Sequence, residues 1–162
     1  MTTERPTIVR IATPADEEEI MRLMLAAFAE QPTFELNEDK IRTKIRQATQ
    51  REGGVIGVID GPKGLEGYLF AQLAQYWYTD EWHLEELSNF VHPDHRHPGH
   101  AKALIEFAKW FAEQMSVPLL MGILSTKRLE AKIRLYTRQV RQVGAVFIYN
   151  TGHPNDQLTA LG

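Results

Sequence analysis

Apolar residues recur along this chain at two spacings, and the switches between them divide it into elements. Thr7 to Ala12 alternates apolar and polar residues, the period of a half-buried strand. Thr13-Pro14-Ala15-Asp16 then has the chemistry of a helix start: a Thr cap, Pro at the first helical position, an acidic residue closing the capping pattern, and Glu17 to Glu19 on the positive end. Ile20, Leu23, Met24, Ala27 and Phe28 follow at helical spacing and predict a core-facing stripe, which Gln31-Pro32-Thr33 breaks. Asn37 caps a second helix, with Ile41, Ile45 and Ala48 turned inward and Lys40, Arg42, Lys44 and Arg46 outward, and Gly53-Gly54 ends it.

From Val55 to Val91 the spacing becomes that of strands. Val55–Asp60, Leu65 to about Tyr78, and Trp82 to Val91 are separated by Gly61-Pro62-Lys63-Gly64 and Thr79-Asp80-Glu81, which predicts an antiparallel meander. Ala101, Leu104, Ile105, Ala108, Phe111, Ala112 and Met115 return to helical spacing. Val117–Leu124 is almost wholly apolar, the composition of a strand buried on both faces. A last helix is expected over about Lys127 to Val140, striped by Leu129, Ile133, Tyr136 and Val140, and Val143–Tyr149 is expected to close the sheet. The order β-α-α-β-β-β-α-β-α-β predicts an α/β fold around one mixed, mostly antiparallel sheet flanked by helices.

Composition narrows the picture. A chain of 162 residues, 43% hydrophobic and 24% charged, suits one domain, with a core over about residues 7–150 and a loose tail over 151–162. Eighteen Lys and Arg against 21 Asp and Glu leave a net charge of -3, so neither nucleic acid nor an anionic membrane is expected as a partner. The absence of cysteine removes disulfides, thiol nucleophiles and cysteine-ligated zinc. The first residues carry no apolar signal core, and no run approaches the roughly 20 apolar residues of a membrane span. The expectation is a soluble, cytoplasmic protein.

The chemistry concentrates where the strand Glu85–Val91 runs through His92-Pro93-Asp94-His95 into Arg96-His97-Pro98-Gly99-His100-Ala101 and a clean amphipathic helix. A glycine-containing turn feeding a helix N-terminus presents unpaired N–H groups and a positive dipole end, which suit a pyrophosphate. Gly99 allows close backbone approach, Ala101 leaves room at the first turn, and Arg96 adds charge. An ordinary strand-to-helix loop has the same outline.

The segment resembles the acetyl-coenzyme A signature of the GNAT superfamily of N-acetyltransferases, Gln/Arg-x-x-Gly-x-Gly/Ala, with Arg96, Gly99 and Ala101 at its defining positions. The resemblance extends over about Thr7 to Tyr149 and is similar to the family's short members from tailed phages. It implies acetyl-coenzyme A as co-substrate, no metal, and a primary amine of a small molecule or protein as acceptor. The pantetheine arm would lie where the fourth and fifth strands splay, held by main-chain groups near Phe90 and Val91. The pyrophosphate would sit on the amides of His97, Gly99, Ala101 and Lys102, with His100 beside them; Pro98 has no N–H to give. By the same resemblance Glu86 takes the place of the general base and Tyr136 that of the acid that protonates the departing sulfur.

The sequence also departs from the family. His97 and His100 flank the loop where glycine is common, Leu129 stands where an Asn often precedes the Tyr, and Gln139-Val140 replaces a Gly-Phe pair. A catalytically inactive, coenzyme A-binding or structural module with this fold is therefore the alternative reading. Glu86 has a bland reading as an exposed strand carboxylate, with His92 or His83 as substitute bases, and Tyr136 has one as a core residue of its stripe. Glu85 points to the opposite face by strand alternation. His92, His95, His97 and His100 with Asp94 raise a metal site, but their spacing crosses a loop and a helix start rather than lying on one face. Tyr76, Trp77, Tyr78 and Trp82 flank a hairpin, where cross-strand packing competes with a homodimer interface. Glu30, Glu35 and Glu38 make the first interhelical loop acidic, which either favours a cationic acceptor or reflects no more than solvated helix-end charges.

Overall fold

The computed structural model describes residues 2–30, 34–125 and 127–149. Strand β1 (Val9–Ile11) leads through a 3-10 turn, Pro14–Asp16, into helix α1 (Glu17–Glu30), and helix α2 (Glu38–Thr49) follows. Asn37 caps α2 as expected, its Oδ1 accepting from the Lys40 N–H at 3.0 Å, whereas at the first start the Asp16 half of the pattern forms, its carboxylate accepting from the Thr13 N–H at 2.8 Å, and the Thr13 side chain makes no cap bond. Strands β2 (Gly54–Gly61), β3 (Gly64–Ala74) and β4 (His83–Val91) form the predicted meander. Helix α3 (Pro98–Met115), strand β5 (Leu119–Leu120) and helix α4 (Leu129–Gln139) complete the elements of the described residues. The sheet order is β1-β2-β3-β4-β5, antiparallel except for the parallel β4–β5 pair.

Alternation along the strands divides the core in two. Ile56, Val58, Tyr68, Phe70 and Phe90 pack against Ile20, Leu23 and Met24 of α1 and Ile45 of α2. Val55, Ile59, Leu69, Leu84 and Val91 face Leu104, Phe107, Ala108 and Phe111 of α3. The sheet is thus a middle layer with helices on both faces. Phe107 lies so close that a Cβ built on Gly57 would stand 2.6 Å from its ring, so only glycine fits there.

The far edge of the sheet differs from expectation. Val143–Tyr149 forms no strand; Val146 is 78% and Phe147 90% exposed. The segment Val117–Leu124 pairs only over Leu119–Leu120, which are half-buried, and Leu124 is exposed. The two differences have one physical reason. With 143–149 off the sheet, β5 pairs among the described residues only with β4 and is left as a short edge. The hairpin strands are also shorter than the aromatic run implies, leaving Tyr76 stacked on Tyr78 and Trp77 94% exposed outside the ladder. Gln31-Pro32-Thr33, Thr126 and the tail from Asn150 lie outside the described residues.

Candidate active site

Strands β4 and β5 pair at Leu84–Leu119 and Glu85–Leu120 and then part. From Glu86 onward the outer edge of β4 faces a cleft of about 510 Å³, walled opposite by residues 122–125 and by α4. Glu86, Asn89 and Tyr136 line one part of it; Arg96, His97 and Ala101 line another. The strand edge, loop and helix named by the sequence therefore meet in one cavity.

In the first part, the Tyr136 hydroxyl donates to both oxygens of Glu86, at 2.9 and 3.2 Å. The Asn89 amide nitrogen donates to Glu86 Oε1 and to Tyr136 Oη, and the Gly122 N–H also serves Glu86. Burial pushes the Glu86 carboxyl up to about 7, against the donors from Tyr136, Asn89 and Gly122, which favour its charged form. Burial, and then the charge of Glu86 and the hydrogen bond to it, hold the Tyr136 hydroxyl above the ordinary phenol range.

A bulge makes this cluster. Phe70 pairs with Ser88 and Ala71 with Glu86, so Leu87 is an extra residue in β4. In a regular strand residues three apart face opposite sides, and Asn89 would point away from Glu86. The inserted residue shifts the phase and brings both to the side of Leu84 and Val91, while Ser88 turns to the other core and meets the Tyr68 hydroxyl at 2.7 Å. Asn89 is missing from the sequence reading for this reason. Its one signal is an Asn, a residue depleted in strands, inside an otherwise β-forming run.

Around Arg96 the geometry is that of a loop tied down from three directions. Arg96 Nε donates to the Val91 carbonyl at 3.0 Å, its NH2 group donates to Glu30 at 2.6 Å, and its guanidinium lies 5.4 Å from the centre of the Phe90 ring. Lys127 Nζ is 3.8 Å from the same Glu30 carboxylate. A carboxylate in the last turn of α1 opposes the helix dipole, and these two cations compensate it. Glu30 is thus paired with Arg96 and Lys127, so its charge is compensated within the cleft wall. Lys132 donates to Ser125 at 3.0 Å; burial, with Arg96, Arg128 and Lys127 nearby, lowers its pKa although Glu30 opposes this.

The histidines have separate duties. His100 is 8% exposed and its Nε2 lies 2.8 Å from Glu66, whose carboxyl this bond holds low; His95 Nδ1 reaches the same carboxylate at 3.4 Å. The His100 side chain thus pins the start of α3 to β3 rather than facing the cleft, and its N–H is engaged by the His97 carbonyl at 3.2 Å. His97 lines the cleft and packs edge-on against His100, ring centres 3.7 Å apart. His92 accepts from the Asp94 N–H, and His83 is buried against Tyr76, so the structure does not bring either to Glu86 and Tyr136. Lys102 pairs with Glu106 on the surface of α3 at 3.6 Å. No group of three or more His, Asp or Glu among the described residues is placed to share a metal ion. Gly99 has no positive φ, and a Cβ there would make ordinary contact with the His97 ring at 3.5 Å. Its backbone alone does not demand glycine.

No protein-family model matches the chain, and no curated protein matches it by sequence. Solved structures do. The chain is similar to an integron cassette protein from the mobile metagenome of Cole Harbour Salt Marsh, at 22% identity and a TM-score of 0.68, with 91% of each chain covered. It is similar to the ribosomal-protein-alanine N-acetyltransferase of Brucella melitensis biovar Abortus 2308, at 17% identity and a TM-score of 0.62, over 87% of this chain and 99% of that one. It is also similar to an aminoglycoside acetyltransferase from an uncultured soil metagenomic sample, at 14% identity and a TM-score of 0.65, over 90% of this chain and 97% of that one. The chain has the fold of the GNAT acetyltransferases.

Proposed function

We propose that the protein is an N-acetyltransferase that moves an acetyl group from acetyl-coenzyme A to a primary amine. The observation that carries this reading is the Glu86–Tyr136 pair, set where β4 and β5 diverge, in the same cleft as the start of α3. The site fits the co-substrate chemically. Among the described residues the β4 edge beyond Glu85 has no ladder partner on the cleft side, and apart from the Val91 carbonyl, which Arg96 Nε occupies, its main chain is free to bond an extended amide-bearing arm. Arg96, His97 and the first turn of α3, including Gly99 and Ala101, would hold the pyrophosphate.

An amine acceptor arrives as an ammonium of pKa about 10.4 and must lose a proton before it attacks. Glu86, whose carboxyl burial raises to about 7, would act as the base, and Tyr136, held above the ordinary phenol range, as the donor to the departing sulfur. The acceptor is left as a class, a primary amine, because the solved neighbours act on acceptors as different as a ribosomal protein and aminoglycosides. The test is thiol release from acetyl-coenzyme A with a panel of amines. Release that depends on amine and is lost in Tyr136→Phe is expected; cofactor binding with no release from any amine would leave only the binding module.

A further inference from the structure

We propose, building on the acetyl-transfer reading, that Glu86 and Tyr136 act as one proton relay in which the acid is armed only after the base is loaded, with Asn89 as the positioning residue that holds the pair. The geometry sets the order. Tyr136 spends its only O–H on the Glu86 carboxylate, at 2.9 and 3.2 Å, and an O–H so committed is not free for a sulfur atom. Once Glu86 gains a proton it changes from acceptor to donor. It then donates to Tyr136 Oη, the hydrogen bond reverses, and the Tyr136 proton is released toward the leaving group.

The protons balance once one of them leaves to solvent. The ammonium first gives a proton to a Glu86 oxygen; the neutral nitrogen then bonds to the thioester carbonyl carbon, and its second proton goes to solvent as the amide forms. The C–S bond breaks, and the sulfur keeps the electron pair and takes the Tyr136 proton. The resulting phenolate takes the proton held by Glu86, which restores both residues and leaves amide and thiol. No proton need come from solvent during the step. Asn89 donates to Glu86 Oε1 and to Tyr136 Oη at once, so it fixes their separation and steadies whichever oxygen carries charge. The groups that face Glu86 are Tyr136 from α4, Asn89 from its own strand, the Gly122 N–H beyond β5 and, farther off, Tyr68 of β3. None of the side chains among these is cationic.

A double-mutant cycle tests the relay. Glu86→Gln and Tyr136→Phe should each slow the single-turnover rate by about 10²–10⁴-fold, and the double variant should be within about threefold of the slower single, because either change breaks the same circuit. Multiplying losses would mean that base and acid work independently and would overturn the relay. A second readout needs no turnover. In protein labelled with ¹³C at the glutamate carboxyls, Tyr136→Phe and Asn89→Leu should each raise the Glu86 titration midpoint, since each removes a donor that favours the carboxylate. A midpoint unmoved by both would show that the pair is not bonded and would overturn the proposal. If the wild-type protein acetylates no amine, the acetyl-transfer reading falls and takes the relay with it. An active wild type with multiplying losses removes the relay alone.

Discussion

Glu86→Gln isolates the stability consequence of keeping a carboxyl in this cleft. The rise from 4.5 to about 7, at about 1.4 kcal/mol per pKa unit, corresponds to about 3 kcal/mol between the protonated and ionised forms of the folded protein. The sign follows from proton binding. Below pH 4.5 folded and unfolded chains are both protonated at this residue and the neutral carboxyl carries no penalty. Between 4.5 and about 7 the unfolded chain ionises while the folded one holds its proton, so stability falls as pH rises and levels off above 7. Glutamine has no such titration. The stability of Glu86→Gln relative to wild type should therefore improve by up to about 3 kcal/mol between pH 4 and pH 8, which for a chain of this size is a relative gain of roughly 6–12 °C in melting temperature. Thermal unfolding of both proteins across that range measures it, and other titrating groups cancel in the difference. A gap that stays constant from pH 4 to pH 8 would refute the claim that Glu86 is desolvated.

Gly57→Ala should destabilise the fold by about 1–3 kcal/mol by driving a methyl group into the Phe107 ring, read as a lower denaturant midpoint. Coenzyme A at 100 times its dissociation constant should add about 2.7 kcal/mol of stability; Gly99→Asp should abolish that gain, whereas Gly99→Ala should keep the fold intact because its methyl group has room. Glu30→Gln removes a carboxylate from between Arg96 and Lys127 and should tighten coenzyme A binding several-fold in calorimetry; weaker binding would mean that Glu30 is needed to hold the loop in shape.

The parts of the molecule that were legible in the sequence are those with a local signature. The α1 stripe, the Asn37 cap, the meander and the strand-loop-helix run through Arg96 to Ala101 each leave a mark within a few residues. Glu86 and Tyr136, the proposed base and acid, carry none and are named through the resemblance alone. Long-range pairings leave no such mark. Glu66 meets His100 across 34 positions and Glu30 meets Arg96 across 66, and nothing near either acid foretells its partner. Strict alternation, carried through the bulge at Leu87, would put Asn89 on the face away from Glu86, so nothing local marks it as part of the site. The segment 143–149 shows the opposite error: a run with every local feature of a strand stays out of the sheet, because ladder formation depends on an available neighbour as well as on propensity.

The extra residue at Leu87 gives β4 a sensitivity to length that its composition does not reveal. Phe90 and Val91 serve opposite layers of the core, and Glu86 stands on the other side of the insertion. Losing one residue there would restore plain alternation and force a choice. Either Phe90 and Val91 exchange environments, with an aromatic ring driven toward α3, or the upstream half turns over and carries Glu86 out of the cleft. Many substitutions at Leu87, which is 40% exposed, would be borne quietly, whereas removing it would break packing or chemistry. In a lineage that drifts freely in sequence, the residue count between Leu84 and Phe90 is the quantity expected to stay fixed.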